Sequence, residues 1–305
     1  MSNTAGTKLN IILAYVRIYQ DCPNVQSTST TVGGALIVTS STVIISNSHF
    51  ENNTARVGGA IFSQKGSIIS IRNSTFVNNS AAGCKDEGCQ GGALFIDSGC
   101  TAAAHRSSFI NNTFGYGGAI ALSQGIFYDS ADNVFSGNRA AGPGGAISVY
   151  SRSRITMYNS HYSNNSGRYG GALYMHKDSS IIVNHSRMIF DKNRAQMGGG
   201  VMYAPSSNSI TMGGSSFHKN EAGWGGGVMY VHDSYITVSN SSFDNNEATV
   251  IGGVICVHAY SLSSITVSNS SFVNNEAGDG GGVMYAPNSI IFVLNSSFDS
   301  NDSRK

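Results

Sequence analysis

Two motifs alternate ten times along this chain, and only a fold that stacks ten near-identical units can satisfy both. The first is a Gly-Gly pair followed by a small residue, starting at Gly33, Gly58, Gly91, Gly117, Gly144, Gly170, Gly199, Gly226, Gly252 and Gly281. The second is an aromatic residue followed three positions later by Asn. Its aromatics are Phe50, Phe76, Phe109, Phe135, Tyr162, Phe190, Phe217, Phe243, Phe272 and Phe298, and its asparagines are Asn53, Asn79, Asn112, Asn138, Asn165, Asn193, Asn220, Asn246, Asn275 and Asn301. Successive Gly pairs lie 25 to 33 residues apart, and self-similarity at such a period marks a repeat architecture. The last units are close copies: SNSSFDNNEA at 239–248 and SNSSFVNNEA at 268–277.

Within each unit the apolar residues alternate. A large aliphatic residue follows the Gly pair and its small neighbour, as at Leu36, Ile61, Leu94 and Ile255; two positions on, most units place another, such as Val38, Ile96 or Val257. Ile236 and Val238 show the same alternation ahead of Phe243. Period two over four to six residues predicts strands with one buried face. No segment keeps i, i+3, i+4, i+7 spacing over the length of a helix, so helical solenoids are excluded. The Leu ladder of leucine-rich repeats and the recurring Gly-Gly-x-Gly-x-Asp of the calcium β-roll are missing too. The fold class is therefore all-β, a parallel β-helix of about ten coils. At a strand spacing of about 4.8 Å the coils would make a rod about 48 Å long.

The solenoid is assigned to residues 33–301, with 1–32 as an N-terminal cap or partial coil and 302–305 as a tail. In such a stack the ten aromatics form an internal column. The ten asparagines are expected at a turn, where Asn tolerates left-handed geometry and its amide can bond the next coil. The Gly pairs mark corners where side chains would clash. Composition agrees: 40% of residues are apolar and only four are Pro, which argues against disorder. Only 11% are charged, against about 25% in an average domain, and the net charge is +1. That balance argues against a nucleic-acid groove. No apolar run reaches the roughly 18 residues of a membrane helix, so no membrane insertion by this segment is expected.

The alternation of GGA[ILV] and FxxN resembles the repeat of the chlamydial polymorphic outer-membrane proteins. The residues that carry the likeness include GGAI at 58–61 with FVNN at 76–79, and GGAL at 170–173 with YSNN at 162–165. The resemblance spans roughly residues 33–301. It implies a right-handed, pectin-lyase-like β-helix of the autotransporter-passenger kind, displayed extracellularly or at a cell surface and serving adhesion. No barrel of amphipathic ten-residue strands follows the tenth repeat and neither end carries a recognisable cap, so the chain reads as a fragment with open strand edges.

Candidate chemistry is sparse. The five cysteines are Cys22, Cys84, Cys89, Cys100 and Cys256. A surface disulfide, Cys84–Cys89 or one of these with Cys100, is favoured over zinc, because the CxxxxC lacks a second pair and a nearby His. Asn-x-Ser/Thr occurs at Asn52, Asn73, Asn78, Asn111, Asn164, Asn184, Asn240, Asn269, Asn295 and Asn301, mostly as a by-product of the repeat. Acidic residues read as scattered. Asp129 and Asp132 are neighbours, and Asp178 and Asp233 fall at similar turns beside His176 and His232, without the paired carboxylates of a glycosidase. No catalytic, cofactor-binding or metal-binding residue is assigned, and no cofactor is expected. The alternative is a carbohydrate-active β-helix enzyme, a polysaccharide lyase or glycoside hydrolase.

A candidate interaction surface follows from strand alternation. If the aliphatic residue after the Gly pair faces inward, the next faces outward, at Phe62, Phe95, Tyr174, Tyr203, Tyr230 and Tyr285. Stacked coils would align these into an exposed stripe, interrupted by Ala121, Ser148 and Cys256. Such a stripe suits a protein or neutral glycan ligand on the outer face.

Overall fold

A computed structural model describes residues 10–14, 17–19 and 32–304, apart from 84–88, 114, 177, 184–186, 207–208 and 259–262. Three long sheets run the length of the stack. Strands that follow the Gly pairs, from Leu36–Thr39 to Met284–Tyr285, form a ten-stranded sheet, termed here the Gly-Gly sheet. An eleven-stranded middle sheet runs from Asn10–Ala14 to Ser289–Leu294, and an eleven-stranded aromatic sheet from Arg17–Tyr19 to Ser297–Asp299. Two-residue strands just after the repeat asparagines, such as Glu221–Ala222 and Glu247–Ala248, add a short fourth ladder. Each strand pairs in parallel with its counterpart one coil away, as Phe243 does with Phe272. At the N-terminal side Asn10–Ala14 and Arg17–Tyr19 add part of a coil to Thr42–Ser46 and His49–Glu51. At the other side Asp302–Ser303, expected as tail, pairs with Glu276–Ala277 and continues the short ladder.

The aliphatic residues after the Gly pairs and the repeat aromatics face one continuous core. Phe243 is fully buried. The ten aromatic rings stack nearly parallel in one file, with neighbouring centroids 4.5 Å (Phe135–Tyr162) to 5.3 Å (Tyr162–Phe190) apart. In the coil at 289–299 the equivalent residues are open, with Ile291 and Val293, the partners of buried Ile265 and Val267, each 44% exposed and Phe298 47%.

Beside the ring file runs a ladder of buried asparagines. The Oδ1 of Asn220 accepts from both the backbone N–H and the Nδ2 of Asn193, each at 3.0 Å. The Nδ2 of Asn220 donates forward to Asn246 Oδ1 and back to the Phe190 carbonyl, both at 2.9 Å. This pattern recurs from Asn79 to Asn275, so each amide makes its hydrogen bonds inside a buried site. The left-handed residue of the turn is not the ladder asparagine but the one before it: Asn52, Asn78, Asn111, Gly137, Asn164, Lys192, Lys219, Asn245, Asn274 or Ser300. The expected left-handed role thus sits one position earlier, and the ladder asparagine is held by its side chain.

The Gly pairs answer two separate demands. Gly226 has φ +63°, in the left-handed region that disfavours a side chain. Gly227 faces the carbonyl oxygen of Gly253 in the next coil, and any Cβ there would collide with it. One glycine is fixed by the turn and the other by the stack.

Charge enters the core once among the described residues. Asp129 is fully buried at the end of Ile126–Asp129. It accepts hydrogen bonds from Ser160 Oγ (2.6 Å), Asn133 Nδ2 (2.6 Å) and the Tyr162 hydroxyl (2.8 Å). Burial disfavours the charged form and pushes its carboxyl up to about 6, with those three hydrogen bonds opposing the rise. Burial also raises the Tyr162 hydroxyl, followed by the neighbouring Asp129 charge. Tyr162 is the one tyrosine in the ring file, and its hydroxyl serves this carboxyl.

Three outcomes follow from this packing. Phe243→Ala should lower the unfolding free energy by about 3–5 kcal/mol, the usual cost of a large-to-small core change, measured by urea denaturation. Asn220→Ala should cost at least about 3 kcal/mol by the same measurement, because it orphans two buried donors on Asn193 and removes the side-chain donor to the Phe190 carbonyl. Folded Asp129 holds its proton more tightly than the unfolded chain does. The folded state therefore binds more protons between about pH 4 and pH 6, and this group's contribution to stability declines as pH rises through that window. Asp129→Asn should remove that decline, worth roughly 2–3 kcal/mol. Stability curves for parent and variant that keep equal slopes between pH 4 and 6 would contradict it.

Candidate functional site

The outward residues of the Gly-Gly sheet align in register as strand alternation requires. Phe62 pairs with Phe95, Tyr174 with Tyr203, Tyr203 with Tyr230, and Cys256 with Tyr285. Their rings stack, with centroids 5.6 Å apart for Phe62–Phe95, 6.0 Å for Tyr174–Tyr203 and 5.2 Å for Tyr203–Tyr230. Exposure departs from expectation. Phe62, Phe95, Tyr174 and Tyr230 are only 7–8% exposed, Tyr203 is half-buried, and Tyr285 alone of the six is open, at 40%. The cause is the residue just before each Gly pair. It bridges to its counterpart one coil away, as in Val32–Val57, Gln90–Tyr116 and Pro143–Tyr169, and forms a strap along the sheet. Val32 and Val57 pack against Phe62, Phe95 and Ala121. At Gly198 the Tyr230 ring occupies the space a side chain would need. The stripe is thus mostly a second apolar layer beneath a strap, and the proposed continuous exposed face does not exist.

Between the strap and the Gly-Gly sheet lies a cleft of about 830 Å³. Tyr174 and Tyr203 form its floor from the sheet, and Tyr150 stands at the end of Ile147–Tyr150. Tyr116 and Tyr169 rise from the strap. The rings contact one another in a chain: Tyr116–Tyr150 at 5.5 Å, Tyr150–Tyr174 at 5.5 Å, and Tyr169–Tyr203 at 4.9 Å. Burial raises the Tyr203 hydroxyl above its ordinary value, with smaller effects from Tyr169 and Cys256. His176 lies 6.0 Å from Tyr150, and the Arg168 guanidinium sits 5.5 Å over the Tyr169 ring. Both are exposed at the cleft. No carboxylate appears among its described lining residues. Volume, aromatic walls and a few polar groups are what a small-ligand site requires. Of the stripe residues named from sequence, Tyr174 and Tyr203 belong to this cleft; Tyr116, Tyr150 and Tyr169 carry no repeat motif and were not marked by one.

Other candidates fall apart or change character. Asp129 is inside the core, whereas Asp132 is exposed beside Arg106, 3.7 Å away, so the two do not form an acid pair. Asp178 and Asp233 occupy separate left-handed turns. His232 packs at a tilt against Tyr230 (5.4 Å) and His258 (5.1 Å). Burial lowers its proton affinity first and His258 lowers it further, against an opposing effect of Asp233. Among the described residues no three His, Cys, Asp or Glu side chains are placed to hold a metal ion.

Cys100 is a buried free thiol in the core, so it is not in the surface disulfide considered for it. Cys89 is disulfide-bonded, and Cys84 lies outside the described residues. Buried free Cys256 has its thiol pushed up to about 12 by burial. The acidic residues are less scattered than the sequence suggests. Glu221, Glu247, Glu276 and Asp302 align in successive coils of the short ladder. Arg194 lies 3.5 Å from Glu221, and Arg304 pairs with Glu276.

The family described as the right-handed beta helix region matches the chain over residues 92–261 and again over 173–304. The Chlamydia polymorphic membrane protein repeat matches residues 47–64. A search of curated proteins gave no match. Among solved structures, the crystal structure of the periplasmic alginate epimerase AlgG is similar at 11% identity and a TM-score of 0.39, covering 85% of this chain and 69% of that one.

Proposed function

The chain belongs to the right-handed β-helix family, and on that footing we propose that it is a non-catalytic interaction module, displayed extracellularly or at a cell surface, that holds its ligand in the tyrosine cleft. The observation that carries this reading is the cleft itself. Five tyrosines converge in it, between the strap and the sheet. Tyrosine supplies a flat apolar face and a hydroxyl at low entropic cost, which suits a sugar ring or a partner side chain. The match to a polymorphic membrane protein repeat at residues 47–64 supports the surface setting. A paired-carboxylate hydrolase would find neither its acid nor its base among the described residues of this cleft.

A second reading, a carbohydrate-active enzyme, is favoured by the carboxylate ladder of Glu221, Glu247 and Glu276. It is the weaker one. Glu221 and Glu247 are both exposed and set side by side at equivalent positions of adjacent coils, whereas an acid and a base of one site need unlike surroundings. Release of reducing or unsaturated ends from polysaccharides by the parent, lost in Glu247→Gln, would establish it over the binding module.

The binding reading is tested with a double variant. Tyr169→Ser with Tyr203→Ser should weaken binding to a glycan array and to cultured cells by about tenfold or more, since each ring is worth roughly 0.5–1.5 kcal/mol beyond its buried area. Tyr235→Ser, at a tyrosine 65% exposed on the middle sheet, serves as the control and should change nothing. Equal binding by the double variant and the parent would place the functional surface elsewhere.

A further inference from the structure

We propose that the tyrosine cleft selects an anionic sugar, held by ring stacking on the tyrosines and by an ionic contact to Arg168. This rests on the cleft being the binding site. It departs from the neutral ligand that overall charge suggests, because the local balance differs from the global one. The whole chain is nearly neutral, at +1. The cleft carries a guanidinium and an imidazole, from Arg168 and His176, and no carboxylate among its described lining residues.

Arg168 is placed for this role by its backbone. Its N–H donates to the Gly142 carbonyl one coil away, at 2.8 Å, which fixes the strap at that point. The next strap residue, Tyr169, bridges to Pro143 and sends its ring toward Tyr203. The guanidinium lies over that ring and makes no ion pair among the described residues. Three other arginines spend their charge on acidic neighbours: Arg106 on Asp132, Arg194 on Glu221 and Arg304 on Glu276. A planar guanidinium already stacked on an aromatic face loses little freedom on accepting an anion, and its fork matches a carboxylate or a sulfate. A sugar ring offers an apolar C–H face for the tyrosines and a rim of hydroxyls for their O–H groups. An acidic substituent on that ring is what Arg168 adds to the recognition. Carboxylate and sulfate share this chemistry.

The test uses the 305-residue chain and calorimetric titration with three probes: a trisaccharide of galacturonic acid, its uncharged methyl ester, and a sulfated trisaccharide of a neutral sugar. At least one anionic probe should bind about tenfold or more tighter than the ester, a typical size for a charge-assisted contact. Preference for the first or third probe identifies carboxylate or sulfate as the source. Arg168→Gln should erase the preference by weakening the anionic probe alone, and Arg168→Lys should restore part of it. Arg168 is exposed, so thermal unfolding of both variants should match the parent. An ester that binds the parent as tightly as both anionic probes overturns the inference, as does a preference that survives Arg168→Gln. Equal binding of all three probes that is lost in Tyr169→Ser with Tyr203→Ser would sink the charge selection while leaving the cleft as the binding site. No binding of any probe by the parent also overturns it, and the array and cell measurements then decide the cleft's role independently.

Discussion

A buried amide that finds its partners only in the coils beside it is the interaction on which this structure turns. Ladder asparagines such as Asn220 are fully buried, and a buried amide without partners is costly. Each can be satisfied only if the neighbouring coil stands in register one strand spacing away. The ring file imposes the same condition through packing, since Phe217 and Phe243 stack at 4.6 Å only in that register. Gly227 imposes it through exclusion, because it lies against the next coil's backbone. Hydrogen bonding, ring stacking and close backbone contact thus all specify one offset. A one-residue slip would turn the inward face of a strand outward and break the three together.

That redundancy is why the fold was legible. Phe243, Asn246 and Gly252 recur at fixed intervals because the same neighbours meet them in every coil. The misreadings fall where the repeat varies. Two adjacent asparagines stand in units such as Asn245–Asn246, and either could have been the left-handed one. The variable member settles it: Lys192 and Lys219 replace the first asparagine, since a left-handed turn accepts several residues, while nothing replaces the second. The strap escaped notice because its residues, Val57, Gln90, Tyr116, Pro143 and Ile251, share no chemistry and therefore form no motif. The carboxylates Glu221, Glu247 and Glu276 were hidden because the same column holds Thr54, Ser80 and Ser166 in earlier coils.

Departures from the repeat also locate what is particular to this chain. Tyr162 in a column of phenylalanines, Asn133 in a turn column otherwise rich in serine, and Asp129 in an apolar column are three exceptions that meet at one point. The exceptions Tyr116 and Tyr169 meet at another, the cleft. In a chain built from copies, shared residues hold the rod together, and individuality is expressed where unshared residues touch across coils.

The ladder amides also give the rod a direction. Every Oδ1 faces the N-terminal side, where the preceding coil's N–H and Nδ2 reach it, and each asparagine presents its own N–H and one amide hydrogen toward the C-terminal side. Aligned along one line, these dipoles add rather than cancel, as peptide dipoles do along a helix. The stack therefore has unlike poles, acceptors at one and donors at the other. Two such rods brought together pole to pole would match only head to tail; a tail-to-tail junction would set donor against donor. Any longer assembly continuing this ladder must be vectorial, every unit pointing the same way, and it cannot be built around a twofold axis through the amide file.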